Sequence, residues 1–192
     1  MKNLCFILFF LIVTSNVKSQ NSDDPKIGFN LLRITGGKIS DKKYPNSPNN
    51  AIGFMGEANL LGSGMWLNSS SEYDLGKKEF STIGLGIGIG IPLKINEHVD
   101  FLIALEPLSM YFNMYDAGSF NSAFLTKFRY RMFILETKTN FWDWRKGKDP
   151  VLEENSYYAF NVLFLKEFTA GVMYKRLDVG INYLSLTAGL TF

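Results

Sequence analysis

Cysteine is nearly missing from this chain: Cys5 is the only one in 192 residues. Past that position there is no thiol, which excludes disulfides and cysteine-based metal sites. Histidine is equally scarce, since His98 stands alone. Charge of one sign is also lacking, with 20 basic and 18 acidic residues interspersed along the chain. Phosphate binding needs a concentrated basic face, so nucleic acid is not an expected partner. Beyond residue 13 no apolar run approaches the length of a membrane-crossing helix. If this chain enters a membrane, it must do so as a closed barrel, the only other way to pair every backbone donor and acceptor in hydrocarbon.

What is present begins with a targeting pattern. Lys2 is followed by the apolar run Leu4 to Val13 and then by the polar stretch Thr14 to Lys18. This three-part order reads as a secretory signal over residues 1–19, with a mature domain over 20–192. Lys2 and Lys18 belong to that segment, so 20 minus 2 leaves 18 basic residues against 18 acidic ones. The expected mature chain is formally neutral.

Aromatic residues make up 15% of the chain, and 17 glycines accompany them. The clearest local pattern joins the two features' themes. Ile83, Leu85, Ile87, Ile89 and Ile91 alternate with Gly84, Gly86, Gly88 and Gly90, up to Pro92. Period two means a strand, and four glycines at about 1 kcal/mol each argue against a helix. Glycines facing into a narrow barrel leave space for large side chains from the opposite wall, while the aliphatic face looks at lipid. The last residues repeat the alternation: Leu184, Leu186, Ala188 and Leu190 interleave with Ser185, Thr187, Gly189 and Thr191, before Phe192.

This final segment resembles the terminal strand of outer-membrane β-barrels. Ser185, Leu190 and Phe192 match the pattern that barrel-assembly machinery reads, with Thr187 standing where glycine is usual and Gly189 two residues late. The chain as a whole is similar to the membrane domain of OmpA-like proteins without their peptidoglycan-binding domain. The resemblance implies an antiparallel up-and-down transmembrane barrel in the cell outer membrane, surrounded by outer-membrane lipid and assembled by that machinery.

Alternation elsewhere is consistent with strands over 27–34, 52–67, 99–112, 123–136, 157–165, 168–174 and 179–192. With 83–91 this makes about eight strands. The polar stretches 36–50 and 137–155 then become long extracellular loops, and 166–167 a short periplasmic turn. The stretch 68–79 would be an overlong periplasmic linker.

Charged residues embedded in the strands carry the expected site. Lys127, Arg129 and Arg131 alternate with apolar neighbours, and Glu57 and Glu106 occupy comparable positions. Arginine or lysine on a lipid face costs about 2–4 kcal/mol at mid-depth, so these five should point inward as a paired network filling the lumen. Trp66, Tyr111, Tyr115, Phe141, Trp142, Trp144, Tyr157 and Tyr158 fall near expected strand ends, as interfacial girdles would. Trp142 and Trp144, with Arg145, also mark a surface loop suited to a protein or glycan partner.

Enzyme chemistry is not expected. Glu97 could orient His98, but no serine in a nearby strand offers a nucleophile. The glycines of 84–90 lie in a strand, without the helix a phosphate loop requires. No cofactor and no metal is expected. The functional reading is a barrel of structural or interaction role with a filled lumen. Two alternatives are a narrow pore for small solutes and a secreted lipocalin-like ligand-binding barrel, the latter suggested by Gly64-Met65-Trp66.

Overall fold

The computed structural model describes residues 31–43, 48–60, 64–113, 116–144, 155–164, 167–178 and 180–191. The expected signal segment, Tyr115, Arg145 and Phe192 lie outside these. Ten antiparallel strands form a closed barrel in simple meander order, β1 pairing with β10 to complete the ring. They are β1 (Leu31–Asp41), β2 (Asn49–Leu60), β3 (Met65–Asp74), β4 (Glu79–Asn96) and β5 (Val99–Asn113). The second half comprises β6 (Asp116–Tyr130), β7 (Phe133–Asp143), β8 (Tyr157–Phe164), β9 (Phe168–Asp178) and β10 (Ile181–Thr191).

The strand number corrects the expected eight, and each extra strand has a local cause. The run 123–136 is not one strand. It breaks at Arg131 and Met132, a tight turn between β6 and β7 in which Arg131 takes φ 54°. Neither residue is a usual turn former, so nothing in the local sequence announces the break. The turn also reverses the expected facing: Ile134 is in the lumen while Phe133 and Leu135 face out. The run 52–67 likewise divides into β2 and β3. The supposed linker 68–79 is mostly β3, whose Asn68, Ser70, Glu72 and Asp74 point inward. Its outward face has Ser69 and Ser71, so the apolar half of the alternation is lost there. Only residues 75–78 connect β3 to β4, which removes the overlong linker. Strand β7 runs on to Asp143, shortening the loop expected over 137–155.

The two ends of the barrel differ in their connections. The connections 61–64, 97–98, 131–132 and 165–167, all short, share the end where Leu31 pairs with Thr191. The two longest, 42–48 and 144–156, lie at the opposite, long-loop end together with three short ones, 75–78, 114–115 and 179–180.

The glycine face of β4 does point inward, with all four glycines buried. The side chains it admits come from neighbouring strands rather than from across the barrel. A Cβ on Gly84 would stand 2.6 Å from the Tyr111 ring, and one on Gly86 2.2 Å from a Glu106 carboxylate oxygen. On Gly88 it would meet the Leu105 carbonyl oxygen at 1.9 Å, where the β4–β5 register shifts. Backbone cannot move aside as a side chain can. Gly88→Ala is therefore expected to destabilise the barrel by about 1–3 kcal/mol. Gly36→Ala, with nothing within 4 Å of the new carbon, should be close to neutral. Denaturant titration of the two refolded variants checks the contrast.

Candidate functional site: the charged lumen

Period-two pleating puts alternate residues of every strand inside, and inside this barrel they are largely polar or charged. Five cations are buried there among the described residues: Arg33, Lys127, Arg129, Lys138 and Lys175. Each has a carboxylate partner. Lys138 Nζ lies 2.5 Å from Glu106, and Lys175 Nζ 2.6 Å from Glu72. Arg33 Nη2 donates to Glu136 at 2.5 Å, Lys127 to Glu57, and Arg129 Nε to Asp100 at 2.5 Å.

The pairs are linked through shared neighbours. Lys127 also lies 3.9 Å from Glu136, so Arg33, Glu136, Lys127 and Glu57 form one group across the lumen. Tyr157 Oη donates to Glu57 (2.8 Å), and Asn161 Nδ2 to Glu136 (3.0 Å). Glu106 accepts from Trp66 Nε1 (3.1 Å) and Ser109 Oγ (2.6 Å) besides Lys138. Removing a buried donor while its acceptor stays costs about 1–3 kcal/mol. Trp66→Phe is expected to lose about that much, read as a lower denaturant midpoint at unchanged slope.

Arg129 stands at the short-turn end of the barrel. Its Nη1 donates to the Arg131 carbonyl at 2.8 Å, and the Arg131 amide donates to the His98 carbonyl at 2.7 Å. One guanidinium and one backbone bond thus hold the 97–98 and 131–132 turns together.

Of the five residues expected in the network, Glu57, Glu106, Lys127 and Arg129 are in it. Arg131 is not, because it is an exposed turn residue rather than the next inward position of β6. Six partners went unforeseen: Arg33, Glu72, Asp100, Glu136, Lys138 and Lys175. Arg33 and Asp100 could have been found, since they continue the inward parity of Leu31 and of Leu102, Ala104 and Glu106. Glu72, Glu136 and Lys138 lie in stretches assigned to the wrong strand, loop or linker, and Lys175 falls just past the expected end of the strand 168–174.

The aromatic residues divide. Trp66, Tyr111 and Tyr157 are buried in the lumen and so are no part of a girdle, whereas Phe141, Trp142, Trp144 and Tyr158 face outward. Trp142 belongs to β7, not to a loop, and its ring meets that of Trp144 edge-on at 6.3 Å. Trp144 Nε1 donates to Ser122 Oγ at 3.0 Å, which holds the indole against the wall. Ser185 points into the lumen and Leu190 outward, as the alternation of β10 requires. His98 is exposed in the β4–β5 turn, its amide donating to Asn96 Oδ1 at 2.8 Å. No group of three potential metal ligands occurs among the described residues.

The outward face has the opposite character. Leu186 is 70% exposed, Ile34 66% and Ile89 62%, and exposed Ile, Leu or Phe continues around most of the wall. Searches with this sequence found no matching family model and no matching curated protein. The functional reading therefore rests on the polarity of the two faces.

Proposed function

We propose that the chain is exported and serves as an outer-membrane β-barrel with a structural or interaction role, its lumen closed by side chains. The observation that carries this is the inverted polarity: ion pairs inside and aliphatic side chains outside. A barrel in water would expose that apolar surface at a cost of about 25 cal/mol per Å², and contiguous apolar patches of this extent are rare on soluble monomers. Lipid removes the cost.

Two further features support the reading. Outward aromatics gather toward the ends of β5–β9: Phe112, Phe120 and Trp142 at the long-loop end, Tyr130, Phe133 and Phe168 at the other. Along β6 the interval from Phe120 to Tyr130 is about ten residues. At about 3.3 Å each and a tilt of about 40° it rises about 25 Å, the height of a barrel's apolar band. The two longest connections also share one end, as the extracellular loops of such barrels do. Assembly by the barrel machinery through the β10 pattern belongs to this proposal.

A second reading has its own observation. Met55, Trp66, Leu102, Leu125, Met173 and Tyr183 form an apolar cluster in the lumen, as a soluble ligand-binding barrel would need. Fractionation separates the two. The membrane reading expects recovery in detergent-extracted outer membrane, a gel-mobility shift on boiling, and little conductance in planar bilayers. A detergent-free soluble monomer would overturn it in favour of ligand binding. Steady channels would replace the closed lumen with a narrow pore.

A further inference from the structure

The two rims differ in exposed charge. At the short-turn end Lys94 and Arg131 are balanced by Glu97 and Glu167, all exposed. At the long-loop end, the sector from β10 to β3 carries exposed Lys38, Lys42, Lys43 and Lys78. Among the described residues, no outward aromatic stands at that level of the sector between Tyr174 on β9 and Tyr73 on β3. Its outward positions nearest the rim are polar instead: Asn182 pairs with Ser40 across β10 and β1, and Lys38 with Asn50 across β1 and β2.

The lysine-bearing turns are joined to their neighbours. Lys42 donates its amide to the Gly180 carbonyl, and Leu75 to that of Asn50, both at 2.9 Å. Two of the sector's carboxylates are engaged with the backbone. Asp41 Oδ1 accepts the Lys43 amide at 2.8 Å, and buried Asp74 accepts those of Gly76 (2.8 Å) and Lys77 (3.0 Å). Glu79, exposed, and Asp178, half-buried, are the sector's other acids. Beside Lys38 the wall turns aliphatic at Leu184, its cross-strand partner, and stays so below at Ile52 and Leu186.

Ammonium groups above an apolar wall are complementary to a lipid whose headgroup carries phosphate. We propose that this sector of the rim binds phosphorylated lipids of the adjacent leaflet, phosphates on Lys38, Lys42 and Lys43 and acyl chains along Leu184 and Ile52. The proposal rests on the membrane reading. Each basic residue near a charged membrane surface contributes to binding, screened by salt.

The test uses the full chain in phosphatidylcholine nanodiscs with or without monophosphoryl lipid A, bound lipids being counted by native mass spectrometry. Wild type is expected to retain the phosphorylated lipid preferentially. Lys38→Gln/Lys42→Gln/Lys43→Gln should weaken that retention about tenfold or more, while Lys94→Gln/Arg131→Gln leaves it unchanged. Equal retention of both lipids, or a preference surviving the triple change, overturns the assignment. Stripping of the lipid by millimolar inorganic phosphate would show a free-phosphate site and overturn the lipid as occupant. A chain that enters no nanodisc fails the membrane reading first, and this proposal with it; a boiling-dependent mobility shift of the triple variant separates that case from loss of the lipid site alone.

Discussion

Leu186→Arg is expected to destabilise the barrel folded in a bilayer by about 2–4 kcal/mol. Leu186 lies midway along β10 and is 70% exposed, the highest value among the large apolar side chains. Its Cα partners are Gly36 on β1 and Val172 on β9, so no neighbouring carboxylate awaits a guanidinium. On a wall facing hydrocarbon the new charge would sit near mid-depth, too far from either headgroup layer to escape cheaply. On a wall facing water the same substitution would fall within about 0.5 kcal/mol and would improve solubility by interrupting an apolar surface. The two readings of the barrel thus predict effects of different size and consequence from one variant. Urea titration of protein refolded into vesicles measures the first, and folding yield without detergent measures the second. A variant that folds better in plain buffer than wild type would end the membrane reading.

The other large effect comes from the lumen. Glu57→Leu removes the carboxylate that accepts from both Lys127 and Tyr157. Lys127 is then left with Glu136 at 3.9 Å, which already holds Arg33 and Asn161. One buried cation has no full partner, and breaking a buried pair from one side costs about 3–5 kcal/mol. Glu57→Leu/Lys127→Leu removes one charge of each sign and leaves Arg33 with Glu136. It should recover most of the loss, because replacing a whole buried pair by apolar groups of similar volume is often nearly neutral. Denaturant titrations of both single variants and the pair give the coupling. Planar-bilayer recordings of Glu57→Leu add a second readout, since a loosened group across the lumen should raise the frequency of openings. A single variant as mild as the double would mean that the cluster is well solvated, and the side-chain plug would have to be abandoned.

Much of the fold was legible from residue types. The alternations at 83–91 and 184–190 identify β4 and β10, because a strand's pleat sends successive side chains to opposite faces. Large aliphatics against glycine, serine and threonine then separate an outer face from an inner one. Glu57, Glu106, Lys127 and Arg129 could be placed inside by the same parity. Parity misleads where it is interrupted without a turn residue to announce it. The Arg131–Met132 turn did this between β6 and β7, and as a result Arg131 was expected inward while Glu136 and Lys138 were lost from the network. In the middle of β3 the outward Ser69 and Ser71 are as polar as the inward Asn68, Ser70 and Glu72, so that stretch has no alternation to detect.

The sequence by itself therefore determined an antiparallel barrel-like pattern of strands, the apolar nature of one face and the charged nature of the other. These follow from nearest-neighbour geometry. The number of strands, the closure of β1 on β10 and the pairing of the charges were decided only by tertiary structure. Arg33 and Glu136 stand 103 positions apart, and Lys175 and Glu72 also 103. Such partners meet through the accumulated register of several intervening strands, and a slip of one residue in any of them would send the side chain to the opposite face.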